Sequence, residues 1–283
     1  MSGGRLDIGF LACLVPIIGI STMLSTELVA CTSHFDCLDA FPTLSYAATF
    51  EPEGHVFLLG MCLTAALIFV SISLFFWYVQ LRTRHQRTKQ WKQTSAQYVA
   101  ASYVCLVFGL VTALSLFGLA AMDMRAHHDA HIVCTIVFFV SAWVMMIAVQ
   151  VARTSALHAD ASQDVDGKLV KRDGLFTVLQ RRSFWVSLRR WRRLDSFTAY
   201  ILGRLVLYMG LTSTLLFGVF FLCANGVWSN PLGFTAVQEA FFEAFAIVCQ
   251  LLFMGTLSCE LAHLARLLEH SDFTESTMSG RNQ

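Results

Sequence analysis

The sequence predicts an all-α polytopic membrane protein of six transmembrane helices. Two patterns carry that prediction: six long apolar runs, and basic residues concentrated in alternate connections. A spanning helix needs roughly 20 mostly apolar residues. The runs Ile8–Ser25, Val56–Gln80, Tyr98–Ala121, Ile132–Val151, Ala199–Cys223 and Ala240–Ala262 meet that need. They are too long and too continuous for barrel strands, which alternate apolar and polar residues. Composition agrees, with 56% hydrophobic and 14% charged residues, whereas soluble domains carry about 25% charged residues.

The first run follows Arg5 and contains Pro16, a candidate kink. Its end, Leu28-Val29-Ala30-Cys31, looks like a leader-cleavage or lipidation site. The long apolar stretch and the intruding Glu27 favour a retained span instead. The connection from Glu27 to His55 has no Lys or Arg and holds Cys31 and Cys37. In an oxidising lumen these two thiols are candidates for a disulfide, with Cys223 as a rival partner.

After the second run come Arg82, Arg84, Arg87, Lys89 and Lys92. The turn between the third and fourth runs has only Arg125. In that turn His127 and His131 stand four residues apart, one helical face for a zinc ion. The Glu of a His-Glu-x-x-His motif is missing, and a third ligand would have to come from Asp123, Glu51, Glu53 or Glu243. No metal and no cofactor is expected. Histidines at a membrane interface are more simply read as headgroup neighbours.

The loop after the fourth run carries ten Lys or Arg between Arg153 and Arg193, so two loops hold 15 of the 20 basic residues. Basic loops stay cytoplasmic, which places the N- and C-termini there too. Within that loop Phe184, Trp185, Leu188 and Trp191 fall at helical spacing among Arg181, Arg182, Arg189, Arg190, Arg192 and Arg193. This predicts a basic amphipathic helix on the membrane surface, binding anionic lipid headgroups. The segment around Asp160 to Gly167 is expected to be mobile.

Charges inside the last two runs are few. Arg204 is expected to snorkel to cytoplasmic headgroups. Glu260 and His263 are expected at the cytoplasmic interface. Glu243 lies a turn inside the luminal end of the sixth run, with Glu239 one turn earlier on the same face. A carboxylate at that depth requires a partner, a proton or water. Close helix packing is expected at Gly109, Gly118 and Gly210. Residues 1–271 read as one membrane domain, and 272–283 as a short disordered tail.

Phosphate-binding Gly loops, Gly-x-Ser-x-Gly elbows and Cys-His nucleophile signatures are absent from the sequence, and the basic loops match no nucleic-acid motif. The few candidates for chemistry are His128, Asp129 and Glu243.

The first luminal loop reads Phe41-Pro42-Thr43-Leu44-Ser45, then Glu51-Pro52-Glu53-Gly54-His55-Val56-Phe57. It resembles the loop of the six-span DRAM (damage-regulated autophagy modulator), SFK and FRAG family, which includes the GPI-anchor lipid-remodelling factor and the CWH-type N-terminal domain. Leu44 replaces an Ile and Glu51 a Pro of the family pattern. His128-Asp129 at the fourth span and Glu243 in the sixth are similar to family positions, although Ala244 follows Glu243 where the family has an aromatic residue. The long basic fourth-to-fifth loop also exceeds the family's pattern. The resemblance implies a protein of the endomembrane system (Golgi, lysosome) or plasma membrane, concerned with lipids. Its branches are associated with autophagy, with phosphoinositide regulation and with GPI-anchor remodelling. It marks Pro42, Ser45, Glu51, Pro52, Glu53, His55 and Phe57 as the loop motif.

Three functions fit these residues. The first is a non-enzymatic lipid-handling factor, with His128, Asp129 and Glu243 clustered beneath the luminal loop. The second is a luminal lipid-remodelling enzyme using His128 as base. The third is a scaffold subunit whose fourth-to-fifth loop and tail hold a membrane-protein partner.

Overall fold

A computed structural model describes residues 8–37, 41–85, 91–163 and 196–279. Among these residues the fold is entirely helical. The elements are α1 (Ile8–Ser33), α2 (Leu44–Ala47), α3 (Glu53–His85), α4 (Trp91–Ala121), α5 (His128–Gln163), α6 (Ser196–Ala224), α7 (Ala236–Gly255) and α8 (Ser258–Ser279). Six segments are long and apolar enough to cross a bilayer: α1, α3, α4, α5, α6, and α7 continued into α8 as far as Leu268. An even number of crossings brings both ends of the bundle to one side. That side carries the Lys/Arg connections and is called the basic end below. The opposite side, closed by the connection from α1 to α3, is the cap end.

The spans are apolar around most of their circumference because each has two apolar environments. One side faces neighbouring helices and the other faces lipid. Leu59 and Leu215 are each 72% exposed and Phe117 is 53% exposed, unusual for a soluble protein and normal for a lipid-facing surface. The interior is built from Met23, Phe57, Ile72, Phe75, Met145, Met146, Leu251, Phe253 and Leu261, all buried.

α1 packs against α3, α7 and α8, while α4 packs against α3 and α5, and α6 against α7 and α5. Small residues set the approach. A Cβ at Gly109 would meet Ile72 at 2.7 Å, one at Gly118 would meet Cys134 at 3.0 Å, and one at Gly210 would run into the Trp143 ring. Thr22, on α1, occupies the space over Gly60 of α3. Many hydroxyls inside the spans bond to the preceding turn, as Thr64 does to the Gly60 carbonyl at 2.8 Å. Thr112 also reaches across to Ser141 at 2.9 Å, joining α4 to α5.

The helices outrun the apolar runs that announce them. α1 continues beyond Ser25 to Ser33 and carries Glu27 and Cys31. α5 continues beyond Val151 to Gln163, so Asp160 to Gln163 is helix, not a mobile segment. The tail expected to be disordered from residue 272 is helical to Ser279. Hydropathy marks where lipid ends, whereas helix ends are set by breakers. Ser258–Ser279 contains neither Gly nor Pro, and Gly280 follows it.

The sixth crossing is not one helix. It turns at Thr256 and Leu257 between α7 and α8, and Thr256 is completely buried. The amphipathic helix expected around Arg181, Arg182, Trp185, Arg189, Arg190, Trp191, Arg192 and Arg193 lies outside the described residues.

Candidate functional site

The cap end is built by the last turns of α1, residues 34–37 and 41–52, and the first turn of α3. Cys31 and Cys37 form a disulfide with Cα atoms 5.4 Å apart, whereas Cys223 is a free buried thiol. Downstream, Pro42 is buried and Thr43 caps the one-turn helix α2, its hydroxyl accepting from the Tyr46 N–H at 3.3 Å. The chain then turns into α3 at Glu53.

An aromatic cluster forms the roof. Phe50 stacks on His34 at 4.8 Å, and Phe35 meets Phe50 and Tyr46 edge-on at 5.2 and 5.6 Å. From the α4–α5 turn, the Arg125 guanidinium sits 4.2 Å from the Phe50 ring centroid and 5.7 Å from that of Tyr46. These cation–π contacts anchor the cap to the turn on the far side of the bundle.

Carboxylates lie beneath the roof. Glu53 is completely buried, and its Oε1 is 3.2 Å from His34 Nε2. The same nitrogen is 3.3 Å from the Glu51 carbonyl, so His34 ties both halves of the loop together. Glu243 of α7 is 5% exposed and accepts a 3.4 Å hydrogen bond from the Ser45 hydroxyl. It also takes a hydrogen bond from the Leu44 backbone. Leu44 opens α2, so this carboxylate sits at that helix's start, where backbone N–H groups point outward unsatisfied. Glu239 and Glu27 are near enough to Glu243 to repel it. Oxygens of Thr26, Glu27 and Glu243 are buried with no hydrogen-bond partner. Among the described residues no Lys or Arg forms an ion pair with Glu27, Glu239 or Glu243.

The motif residues thus separate. Pro42, Glu53 and Phe57 are buried and Ser45 is half-buried, while Glu51, Pro52 and His55 are exposed on the rim. His128 and Asp129 are not brought to Glu243, whose partners are Ser45 and Leu44. Both are exposed in the first turn of α5, where Asp129 complements the positive end of the helix dipole. The buried histidine of that turn is His131, whose Nδ1–H donates to the Met122 carbonyl at 2.9 Å. Its neighbour His127 is exposed. No group of three or more His, Cys, Asp or Glu able to hold a metal exists among the described residues.

At the basic end, Arg153 and Glu260 were expected in a loop and at the interface. Instead they form a buried bidentate pair, with Nε to Oε1 at 2.6 Å and Nη2 to Oε2 at 2.9 Å. Arg153 also donates to the Thr256 hydroxyl at 3.0 Å, the Thr256 carbonyl at 3.0 Å and the Ala199 carbonyl at 3.4 Å. All five guanidinium donors are used. Irregular backbone at membrane depth survives only where protein groups satisfy it, and here Arg153 satisfies the carbonyl freed by the α7–α8 break. A signal for the pair exists in the sequence, since Glu260 falls inside the sixth apolar run and Arg153 stands two residues past the fourth. Two opposite charges at one depth near one membrane face are expected to pair.

Residues 8–264 match the Frag1/DRAM/Sfk1/Cwh43P N-terminal domain family. The chain belongs to this family of multipass membrane proteins. Searches of curated proteins and of solved structures gave no match.

Proposed function

We propose that this protein is a non-enzymatic membrane factor that handles a lipid at its cap end, with both termini in the cytoplasm and the cap facing a lumen or the cell exterior. The observation that supports it is Glu243, a buried carboxylate placed by α7 under the family's loop motif, beside Glu239 and Glu27. Among the described residues it has one oxygen unpartnered and no Lys or Arg paired to it. Buried ionisable groups inside membrane segments are costly and mark sites of function. A headgroup bearing an amine or several hydroxyls satisfies such a set, as in the glycan core and ethanolamine of a GPI anchor. The aromatic roof of Phe35, Tyr46 and Phe50 offers the apolar flank that such a headgroup covers.

The enzyme alternative takes His128 as base, with Asp129 orienting it or Glu243 acting as an acid; Glu243 is bonded to Ser45 and Leu44 instead, which favours the lipid-handling reading. Nothing in the described residues favours the scaffold alternative over lipid handling. A Golgi, lysosomal or plasma-membrane address is the one that membership of this family implies for such a factor.

The test is lipid mass spectrometry on cells lacking the protein, re-expressing wild type or Glu243→Gln at equal abundance. Altered GPI-anchor chains or phosphoinositides, restored by wild type and not by Glu243→Gln, are expected. Full restoration by Glu243→Gln removes the headgroup role.

A further inference from the structure

A second site lies at the opposite end of the bundle. Between α5 and α6, beside the start of α4, runs an open groove of about 710 Å³. It is lined by Gln97 of α4, by Ile147, Gln150, Val151, Thr154 and Ser155 of α5, and by Tyr200, Arg204, Leu207 and Tyr208 of α6. It exists because α6 packs extensively against α7 and only sparsely against α5.

The lining is graded. α4 and α6 start at the basic end and α5 finishes there, so depth follows from residue number. Gln97, Thr154, Ser155 and Tyr200 stand at the mouth. Gln150, Val151 and Arg204 come next, and Ile147, Leu207 and Tyr208 are deepest. From Tyr200 to Tyr208 the helix rises about 12 Å, the length of a headgroup, its glycerol and the start of a chain.

Arg204 is the one charged side chain among the lining residues, all of which are described, and no carboxylate lines the groove. Its Nε donates to the Tyr208 hydroxyl at 3.3 Å, and Tyr200 bonds it from the turn before. The guanidinium is exposed, with further donors to offer. The back wall holds Gln150, 8% exposed, whose amide nitrogen and oxygen have no partner among the described residues. Gln150 reaches this position over Gly203, where a Cβ would collide with its Nε2. A span that places a cation, two phenols and an unpaired amide along a lipid-facing groove is not built for hydrocarbon alone.

We propose that this groove binds one anionic glycerophospholipid of the leaflet at the basic end. Its phosphate takes the Arg204 guanidinium and the phenol hydroxyls, and one acyl chain lies along Val151, Ile147 and Leu207. Arg matches a phosphate through parallel N–H donors. The absence of a lining carboxylate disfavours the choline of a zwitterionic lipid. The site is distant from Glu243, and the proposal does not rest on the cap-end reading.

The experiment is native mass spectrometry of the full chain in mild detergent with added phosphatidylglycerol or phosphatidylcholine. Wild type is expected to retain one phosphatidylglycerol in preference to phosphatidylcholine. Arg204→Gln is expected to weaken that retention about tenfold, the scale of one strong charge-assisted contact. Arg204→Lys is expected to keep part of it, and Glu243→Gln all of it. Arg204 is exposed, so thermal unfolding of its variants should match wild type. Equal phosphatidylglycerol retention by wild type and Arg204→Gln overturns the proposal. Displacement by excess inorganic phosphate overturns it too, by reducing the site to one for a free anion.

Discussion

Arg153 and Glu260 show how much a single residue decides in this protein. Each is nearly buried, and removing one leaves the other charged and unpaired. Breaking a buried pair typically costs about 3–5 kcal/mol, whereas replacing both partners with apolar residues is often neutral. Arg153→Leu and Glu260→Leu should each lower the unfolding temperature in detergent markedly. The double variant should recover most of the loss due to charge, but not the part due to the Thr256 carbonyl that Arg153 also binds. A double variant no better than the single ones would contradict the pairing. The individual charges are visible in the sequence. Their partnership is not, because Arg153 reads as one more member of a basic loop until α5 is seen to continue through it.

Among the elements, packing glycines and lipid-facing glycines look alike in sequence and behave differently. Gly210 of α6 sits against Trp143 and Cys249, while a Cβ added at Gly218 on the same helix would meet no other described residue within 4 Å. Gly210→Ala should destabilise by about 1–3 kcal/mol through overpacking. Gly218→Ala should be neutral or stabilising by up to about 1 kcal/mol through helix propensity. Thermal unfolding of the two variants side by side checks this, and equal effects would refute the contact. The element least legible in the sequence is α2. Four residues long, it is too short for any periodicity, and it is held by Thr43 at its cap and Glu243 beneath it. The break between α7 and α8 was equally hidden, because Gly255-Thr256-Leu257 carries no proline and its carbonyl is satisfied from another helix.

For the whole molecule, six crossings follow from run length and from the Lys/Arg alternation, and the family match extends over residues 8–264. The half of the candidate site that depends on covalent neighbours, the loop motif itself, was legible as well. What joins Ser45 to Glu243 across 198 positions was not, and the same long-range folding left His128 and Asp129 outside. The two proposed headgroup sites stand at opposite ends of the bundle, one acidic at the cap and one built around Arg204 in the groove.

The most direct test of the cap is photo-crosslinking in proteoliposomes with an amine-headgroup lipid whose diazirine lies close to the headgroup, followed by peptide mapping. The account predicts adducts on the loop around Tyr46 and Phe50 and on the start of α7, lost in Glu243→Gln at unchanged fold. Adducts spread evenly over the lipid-facing surface and indifferent to Glu243→Gln would contradict it.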